Sequence, residues 1–217
     1  MHPHTVYQVL ATVDPGPPPT PHARYVVHRG FVNEQRSKER ESGVEEYDKN
    51  FAGSGSLILT TTDIRAPKSQ EMIATAKQTG TGALGEICWW LESSQIQLRL
   101  NGQYHLLPTP SHEHFKNFQG DRLAPPSLKG GDGKFDWAQE RYRIFEKLSP
   151  SLLASFARPM PGSKHPNSDQ LKGGEDGPGE GGEGKDDKNS PWPLELPAPG
   201  KEENEKQKKL LQESENK

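Results

Sequence analysis

Two arginines, Arg24 and Arg29, lie five positions apart in the segment ARYVVHRGF, residues 23–31. The tyrosine, valines and phenylalanine around them are typical of a β-strand. Side chains alternate between the two faces of a strand, so an odd offset sends these arginines to opposite faces unless a bulge intervenes. They cannot hold one anion together in a regular strand, and we expect them to have different functions.

A second group of cations lies in TTTDIRAPK, residues 60–68. Arg65 and Lys68 occur where the predicted strand SLILTTTD, residues 56–63, gives way to the predicted amphipathic helix KSQEMIATAKQT, residues 68–79. Cations, threonine hydroxyls and free N–H groups at the start of a helix are the components of a phosphate site. From these residues alone, surface cations on an edge strand are an equally good interpretation.

Three other candidate sites are weaker. GTGALG, residues 80–85, has the glycine spacing of a dinucleotide-binding loop, but a helical pattern enters it and a strand leaves it, which reverses the required order. His112 and His114 have no third and fourth ligand at a recognisable spacing, so we predict no metal site. Cys88 is the only cysteine, which excludes an intramolecular disulfide and is typical of a small buried side chain.

The strand that carries both arginines is predicted to be the second strand of a hairpin. YQVLATV, residues 7–13, has the composition of a first strand, and the proline-rich DPGPPPTP, residues 14–21, can continue neither a helix nor a ladder. A wide loop therefore joins the two strands. The polar segment 33–55 has no sustained periodicity, and we predict a solvated loop there.

The clearest β pattern is EICWWLESSQIQLRLNGQYHLLP, residues 86–108. In QIQLRL, residues 95–100, apolar and polar residues alternate, which predicts one core face and one polar face. Asn101-Gly102 lies between alternating runs and is a strong hairpin signal. We therefore predict a turn at that pair, with QYHLL returning antiparallel.

Helical patterns follow the strands. DWAQERYRIFEKL, residues 136–148, carries an apolar stripe at helical spacing, and Ser149-Pro150 is a capping pair in front of SLLASF. Strands with long connections, followed by helices, predict a mainly β fold. We expect a β-barrel of the α+β type with short peripheral helices, and not an alternating βαβ fold.

The composition limits the size of the folded part. Of the 217 residues only 29% are hydrophobic, and the mean hydropathy is −0.94. Residues 163–217 are rich in Gly, Glu and Lys, so we predict a low-complexity disordered tail with a possible charged helix at 201–216. The rest of the chain is nearly neutral and has no apolar run long enough for a membrane span. We therefore predict a cytoplasmic protein that binds neither nucleic acid nor membranes.

The order of four motifs resembles a known family. ARYVVHRGF, LTTTDIRAPK, EICWWL with QIQLRLNG, and EKLSPSLLASFARPMPG are similar to segments of the pyridoxamine 5′-phosphate oxidase-like FMN-binding proteins, particularly the branch common in fungi and cyanobacteria. The resemblance runs from Tyr7 to Gly162. It implies an FMN-binding split-barrel domain over residues 1–162 and a homodimer with FMN at the subunit interface.

The resemblance also implies the cofactor-binding residues. Arg24 would contact the FMN phosphate, Arg29 would lie on the flavin or substrate side, and Gln97 would touch the edge of the flavin ring. Ala66 departs from the family pattern, in which a serine hydroxyl binds the phosphate, so we expect weaker FMN binding. The implied set is Arg24, Arg29, Thr62, Asp63, Arg65, Lys68 and Gln97.

The resemblance implies an FMN-dependent oxidoreductase with a small-molecule substrate, although no residue set identifies that substrate and no catalytic residue is predicted. The alternative is a non-catalytic or vestigial flavin-binding or interaction protein. Compared with the family pattern, the chain lacks a helix ahead of the first strand and the closing strands at the other end. We therefore expect an incomplete barrel.

Overall fold

A computed structural model describes residues 6–35, 47–128, 133–159 and 195–217 of the chain. Parts of two predicted segments, the polar loop at 33–55 and the tail at 163–217, lie outside the described residues. The chain divides into two compact units, Met1–Phe145 and Glu146–Lys217, which we describe separately.

The first unit is built on one antiparallel sheet of five strands. In spatial order the strands run β3-β2-β1-β4-β5. In chain order they are β1 (Tyr7–Asp14), β2 (Thr20–Val32), β3 (Ser54–Thr60), β4 (Ala83–Leu91) and β5 (Ile96–Tyr104). A curled antiparallel sheet with a few short helices confirms the predicted mainly β, split-barrel class.

The first hairpin forms as predicted. β1 pairs with β2 in a regular register from Tyr7↔Val27 to Asp14↔Thr20. The proline-rich segment is shorter than expected, since only residues 15–19 lie outside the ladder. This register places Leu10 opposite Arg24, which fixes the face on which that arginine lies.

The predicted turn at Asn101-Gly102 is wrong. β5 continues through both residues to Tyr104, and Gly102 pairs directly with Gly85 of β4. The β4–β5 turn is formed instead by the 3₁₀ segment Glu92–Ser94 and by Gln95, which takes the left-handed conformation at φ 55°. A Cβ atom at position 85 would lie 2.6 Å from the Ala11 carbonyl oxygen. Glycine is therefore required at this position, where β4 and β1 approach each other closely.

Three helices accompany the sheet in the described part of the first unit. They are α1 (Pro67–Thr79), α2 (Gly120–Leu123) and α3 (Trp137–Phe145). Proline opens α1, as the sequence predicts, and Gly80 ends it in the left-handed conformation at φ 71°. α1 packs against β1 and β4, which brings its first two turns over the inner face of the sheet.

Two apolar clusters contribute to the core of the described part of the first unit. Leu10, Val26 and Ile87 form one on the face that we call inner, with Trp89, Leu100 and Tyr104 packed against it. Val32, Phe51 and Phe135 form the other, with Leu57, Leu59, Ala124 and Trp137 around it. The inner face is therefore defined by residues of β1, β2, β4 and β5 that share the orientation of Leu10.

The second unit contains α4 (Pro150–Ala157) and α5 (Glu205–Glu215). Ser149 caps α4 as predicted, since its side chain accepts a hydrogen bond from the Leu152 N–H group. Leu153 is fully buried, and its carbonyl accepts a hydrogen bond of 2.9 Å from the Ser214 hydroxyl. α5 lies within the range 201–216 in which the sequence allowed a charged helix, and it packs on α4.

Helices of membrane-spanning length and hydropathy are absent from the part of the chain that the structure describes.

Candidate functional site

The inner face of β2 carries Arg24 into a polar network. Its Nη2 atom donates to Glu71 Oε2 at 3.0 Å, and its Nη1 atom donates to the His22 carbonyl at 3.0 Å and to the Thr12 hydroxyl. Thr12 lies opposite His22 in the β1–β2 register, so both strands of the hairpin contribute. The Arg24 side chain is 22% exposed, so this network does not enclose it completely.

Glu71 of α1 is the centre of this network. Its carboxylate accepts hydrogen bonds from Thr12 and Arg24 on Oε2 and from His22 Nδ1 on Oε1, the last at 2.8 Å. Burial alone would raise the pKa of Glu71, but these three hydrogen bonds outweigh it and hold the pKa below the usual value. Glu71 is therefore a buried, ionised carboxylate that joins α1 to β1 and β2.

Lys68 lies one helical turn before Glu71, at the start of α1. Its side chain is half-buried, and no hydrogen bond or ion pair to another described residue holds its ammonium group. Burial and the nearby charge of Arg24 lower the pKa of Lys68, with Asp63 and Glu71 acting in the opposite direction. We call Thr12, His22, Arg24, Lys68 and Glu71 the α1 cluster.

The segment before α1 contains a second ion pair. Asp63 accepts from Arg65 through Nε at 3.0 Å and through Nη2 at 2.6 Å, and it also accepts the Arg65 backbone N–H. The Thr62 hydroxyl donates to the Asp63 carbonyl at 3.3 Å. Four of the seven predicted site residues, namely Thr62, Asp63, Arg65 and Lys68, thus meet at the entrance of α1.

The N-terminal end of α1 has no side-chain cap. Ala66 is the N-cap residue of α1, it is 5% exposed, and it offers no side-chain hydrogen bond to the first turn. The first turn also lacks an acidic residue. Free backbone N–H groups and the helix dipole therefore add to the positive charge of Lys68 at this end.

Arg29 and Gln97 lie at other places on the sheet than the α1 cluster. Arg29 lies between His28 and Phe31, where the pairing of β2 with β3 shifts, so its offset from Arg24 does not fix its face, and its Nε atom donates to the Thr61 hydroxyl at 3.1 Å. Gln97 is exposed and pairs with Trp90 in the outer row of β4 and β5. Gln97 therefore lies on the face opposite to that of the α1 cluster.

Three residues of the α1 cluster were not predicted from the sequence. Thr12, His22 and Glu71 are separated along the chain by up to 59 residues, and only the β1–β2 register and the packing of α1 bring them together. One local signal existed, because His22 has the same strand parity as Arg24 and therefore shares its face. A helical glutamate next to an apolar residue gave no comparable signal.

Groups of three or more side chains suited to a metal ion are absent from residues 6–35, 47–128, 133–159 and 195–217. The rings of His112 and His114 lie 5.3 Å apart, but no third ligand joins them within those ranges.

Comparison with protein families matches residues 1–108 to the family described as pyridoxamine 5′-phosphate oxidase, FMN-binding domain. Neither the curated proteins nor the solved structures gave a significant match. The matched range contains the whole sheet, α1 and all seven predicted site residues. Residues 1–108 of this chain therefore belong to the pyridoxamine 5′-phosphate oxidase family of FMN-binding domains.

Proposed function

We propose that the chain binds FMN with the cofactor phosphate at the start of α1, and that it is an FMN-dependent oxidoreductase of the pyridoxamine 5′-phosphate oxidase-like type. The observation that carries the proposal is Lys68. It is a half-buried cation next to a second cation, and no described residue forms a hydrogen bond or an ion pair with its ammonium group. A desolvated charge of this kind is costly unless a ligand of opposite charge binds there.

The charges around α1 fit a phosphate monoester. Arg24, Arg65 and Lys68 supply three positive charges, while Asp63 and the ionised Glu71 supply two negative charges. The surplus is one positive charge, and the uncapped helix end adds a partial positive charge. A phosphate that carries about −1.5 to −2 charges at neutral pH would balance this surplus and accept a hydrogen bond from the Lys68 backbone N–H group.

Each predicted residue then has a definite part in the proposal. Lys68 binds the phosphate directly through its ammonium group and its backbone N–H group, and Arg24 adds charge while it remains bonded to Glu71. Asp63 holds Arg65 in place at the entrance of the helix. When bound, FMN supplies the redox chemistry, and the chain supplies anchoring, ring orientation and access for a small-molecule substrate.

The outer face of the sheet supports a role as a subunit interface. Tyr7, Tyr25 and Trp90 lie there and are 54%, 76% and 43% exposed. Aromatic side chains exposed together on one sheet face are typical of surfaces that a partner covers. We propose a homodimer through this face, with Arg29 and Gln97 on the flavin side. Light scattering tests it: a mass of two chains is expected, and a single-chain mass would contradict it.

Titration of the purified chain with FMN and with riboflavin tests the binding site. Riboflavin lacks the phosphate, so we expect it to bind about 10- to 100-fold more weakly than FMN. This difference in affinity corresponds to the loss of one or two charge-assisted hydrogen bonds. Flavin fluorescence and visible absorbance report both affinities. A colourless protein that takes up no added FMN would overturn the proposal.

The redox proposal needs a separate measurement, because FMN binding alone is shared with non-catalytic flavin-binding proteins. The FMN-loaded protein is mixed with a nicotinamide donor without oxygen and then exposed to air. Bleaching of the flavin followed by recovery of its absorbance is expected of an oxidoreductase. A bound flavin that no donor reduces would favour the alternative of a non-catalytic flavin-binding protein.

A further inference from the structure

We infer that Glu71 limits the affinity of the phosphate site, because its buried carboxylate is an internal counter-anion that competes with the ligand for the positive charge of Arg24 and Lys68. This inference rests on the proposed function, since it concerns the same site at the start of α1. Glu71 is not among the seven residues that the resemblance implies, all of which were expected to bind the cofactor. It is a residue of the site that opposes binding.

The ion pair between Glu71 and Arg24 uses part of the guanidinium group. Arg24 Nη2 donates to Glu71 Oε2 at 3.0 Å, and the two side chains are 22% and 7% exposed, in the order Arg24 and Glu71. Solvent screens a pair at this depth less than it screens a surface pair, so the carboxylate offsets much of the positive charge of the guanidinium group. A phosphate at this site therefore shares Arg24 with a carboxylate that the fold itself supplies.

The charge of Glu71 also acts on Lys68. Lys68 lies three residues before Glu71 in α1, a spacing that puts two helical side chains on neighbouring turns of one face. Burial and the charge of Arg24 lower the pKa of Lys68, while the carboxylates of Asp63 and Glu71 act in the opposite direction. The field of the Glu71 carboxylate thus reaches the ammonium group. The same field repels an anion that is bound to that group.

The charge balance gives the direction of the effect. Asp63 and Arg65 offset each other, with 2.6 Å between Oδ2 and Nη2. The other charged side chains of the site, Arg24, Lys68 and Glu71, carry one positive charge in total. A neutral side chain at position 71 would raise this total to two, which is closer to the charge of about −1.5 to −2 on a phosphate. We therefore expect a phosphate to bind more tightly when position 71 is neutral.

The competing interpretation is that Glu71 assists binding because it orients Arg24. The other contacts of the guanidinium group argue against it. Its Nη1 atom donates to the Thr12 hydroxyl and to the carbonyl groups of His22, at 3.0 Å, and Leu10, at 3.5 Å. These contacts come from β1 and β2 and do not involve the carboxylate. Arg24 therefore stays in place when the carboxylate becomes an amide, which can still accept a hydrogen bond from Nη2.

The experiment measures the dissociation constants of FMN and riboflavin for the wild-type chain, Glu71→Gln and Glu71→Asp. We expect Glu71→Gln, which keeps the shape and removes the charge, to bind FMN about 3- to 30-fold more tightly, as for one like charge removed at a partly screened distance. Glu71→Asp keeps the charge on a shorter side chain and should bind FMN no more tightly than wild type. Riboflavin binding should be unchanged in both variants.

Thermal unfolding supplies a second readout of opposite sign. Glu71→Gln should unfold at a lower temperature than wild type, because its hydrogen bonds to Arg24 and Thr12 lose their charge assistance. A purely structural role would lower the stability and the FMN affinity together, whereas a counter-anion lowers the first and raises the second. Titrations well below the melting temperature of each protein keep all of them folded.

Glu113→Gln is the matched control for net charge. Glu113 lies in the 3₁₀ segment Glu113–Asn117, and its side chain is 78% exposed. Its substitution changes the net charge of the chain by the same amount as Glu71→Gln, and FMN binding should not change. Inorganic phosphate is the matched probe for the anion alone. A lower phosphate concentration should displace FMN from a phosphate site that lacks the charge of Glu71, at equal saturation with FMN.

An FMN affinity of Glu71→Gln equal to or weaker than that of wild type would overturn the assignment of Glu71 as a counter-anion. Tightening of the same size in Glu113→Gln would also overturn it, because net charge would then explain the effect. In both cases a wild-type preference for FMN over riboflavin would leave the proposed phosphate site intact. A wild-type chain that binds both flavins equally would overturn the phosphate site itself, and the assignment of Glu71 with it.

Discussion

Two groups of charged side chains join helices to the sheet of the first unit, and they differ in charge balance and in solvent exposure. The second group, which we call the α3 cluster, consists of Asn33, Glu140 and Arg143. Arg143 donates to Glu140 through Nη2 at 2.7 Å and through Nε at 3.0 Å, and Glu140 also accepts the Asn33 backbone N–H at 3.1 Å. Both charged side chains are nearly inaccessible, at 1% and 4% exposure.

The α1 cluster differs from the α3 cluster in its charge balance and in its exposure to solvent. Its carboxylate, Glu71, is buried, but Arg24 and His22 are 22% and 44% exposed. Lys68 adds a cation that the described residues do not neutralise. Among the described residues, the α3 cluster pairs the Arg143 guanidinium group with the Glu140 carboxylate, whereas the α1 cluster keeps a surplus of partly desolvated positive charge. A buried pair of opposite charges is explained by the fold alone, while a partly desolvated surplus of positive charge favours an anionic ligand.

Truncation of Glu140 is expected to have the largest effect. Glu140→Ala leaves the Arg143 guanidinium group buried without its carboxylate, so we expect a loss of about 3–5 kcal/mol in the free energy of unfolding. Urea denaturation at neutral pH measures it. A loss below about 1 kcal/mol would show that the pair is dispensable and would break the contrast between the two clusters.

Two further variants sharpen this measurement. In the double variant Glu140→Leu with Arg143→Met, no buried charge remains, so most of the lost stability should return. The exposed pair between Glu86 and Arg99, 2.7 Å apart on the sheet surface, is the matched control. Glu86→Gln is expected to leave the denaturation midpoint unchanged, because solvent screens that pair.

Substitution of Lys68 tests whether the α1 cluster is a ligand site. Lys68→Met removes a half-buried cation and keeps the length of the side chain, so we expect the stability of the apoprotein to stay constant or to rise slightly. FMN should bind about 10- to 100-fold more weakly, since a charge-assisted contact with the phosphate is lost. Titrations with FMN and riboflavin, together with thermal unfolding, measure both effects.

Lys68→Arg is the matched control, because it keeps the charge at the start of α1. It should retain most of the FMN affinity, and riboflavin should bind alike to all three proteins. If Lys68→Met destabilises the apoprotein as strongly as Glu140→Ala, Lys68 is a structural residue and the α1 cluster is not a ligand site.

The contrast between the clusters also explains what the sequence could predict. Periodicity and proline position predict β1, β2 and α1, because those signals are local. Arg24 and Lys68 stood out because cations in a strand and at a helix start are unusual in a chain with few apolar residues. The Asn101-Gly102 signal failed because the pairing of Gly102 with Gly85 keeps β5 extended, which the local turn preference does not include.

Local sequence patterns did not predict the partners of those cations. Glu71 bonds to His22 across 49 residues, and Arg143 donates to the Glu34 carbonyl across 109 residues. Such pairs depend on strand register and on the side of the sheet that a helix covers. Sequence periodicity therefore indicated which residues are charged in unusual places, and only the fold showed which charges are balanced.

The smallest expected effect belongs to Glu71, and its dependence on pH identifies the cause. Because hydrogen bonds lower the pKa of folded Glu71 below the usual value of 4.5, its contribution to stability is complete above about pH 4.5. That contribution is lost as the pH falls through the lower pKa of the folded state. Glu71→Gln should cost about 1–2 kcal/mol at neutral pH, less than Glu140→Ala, since Arg24 and His22 regain water when the charge is removed. Denaturation of both proteins at a series of pH values should show the two stabilities converging below pH 4.5. A difference that stays constant down to the acid limit would mean that Glu71 acts through its shape and not its charge, and the α1 cluster would then lack the ionised centre around which its cations are arranged.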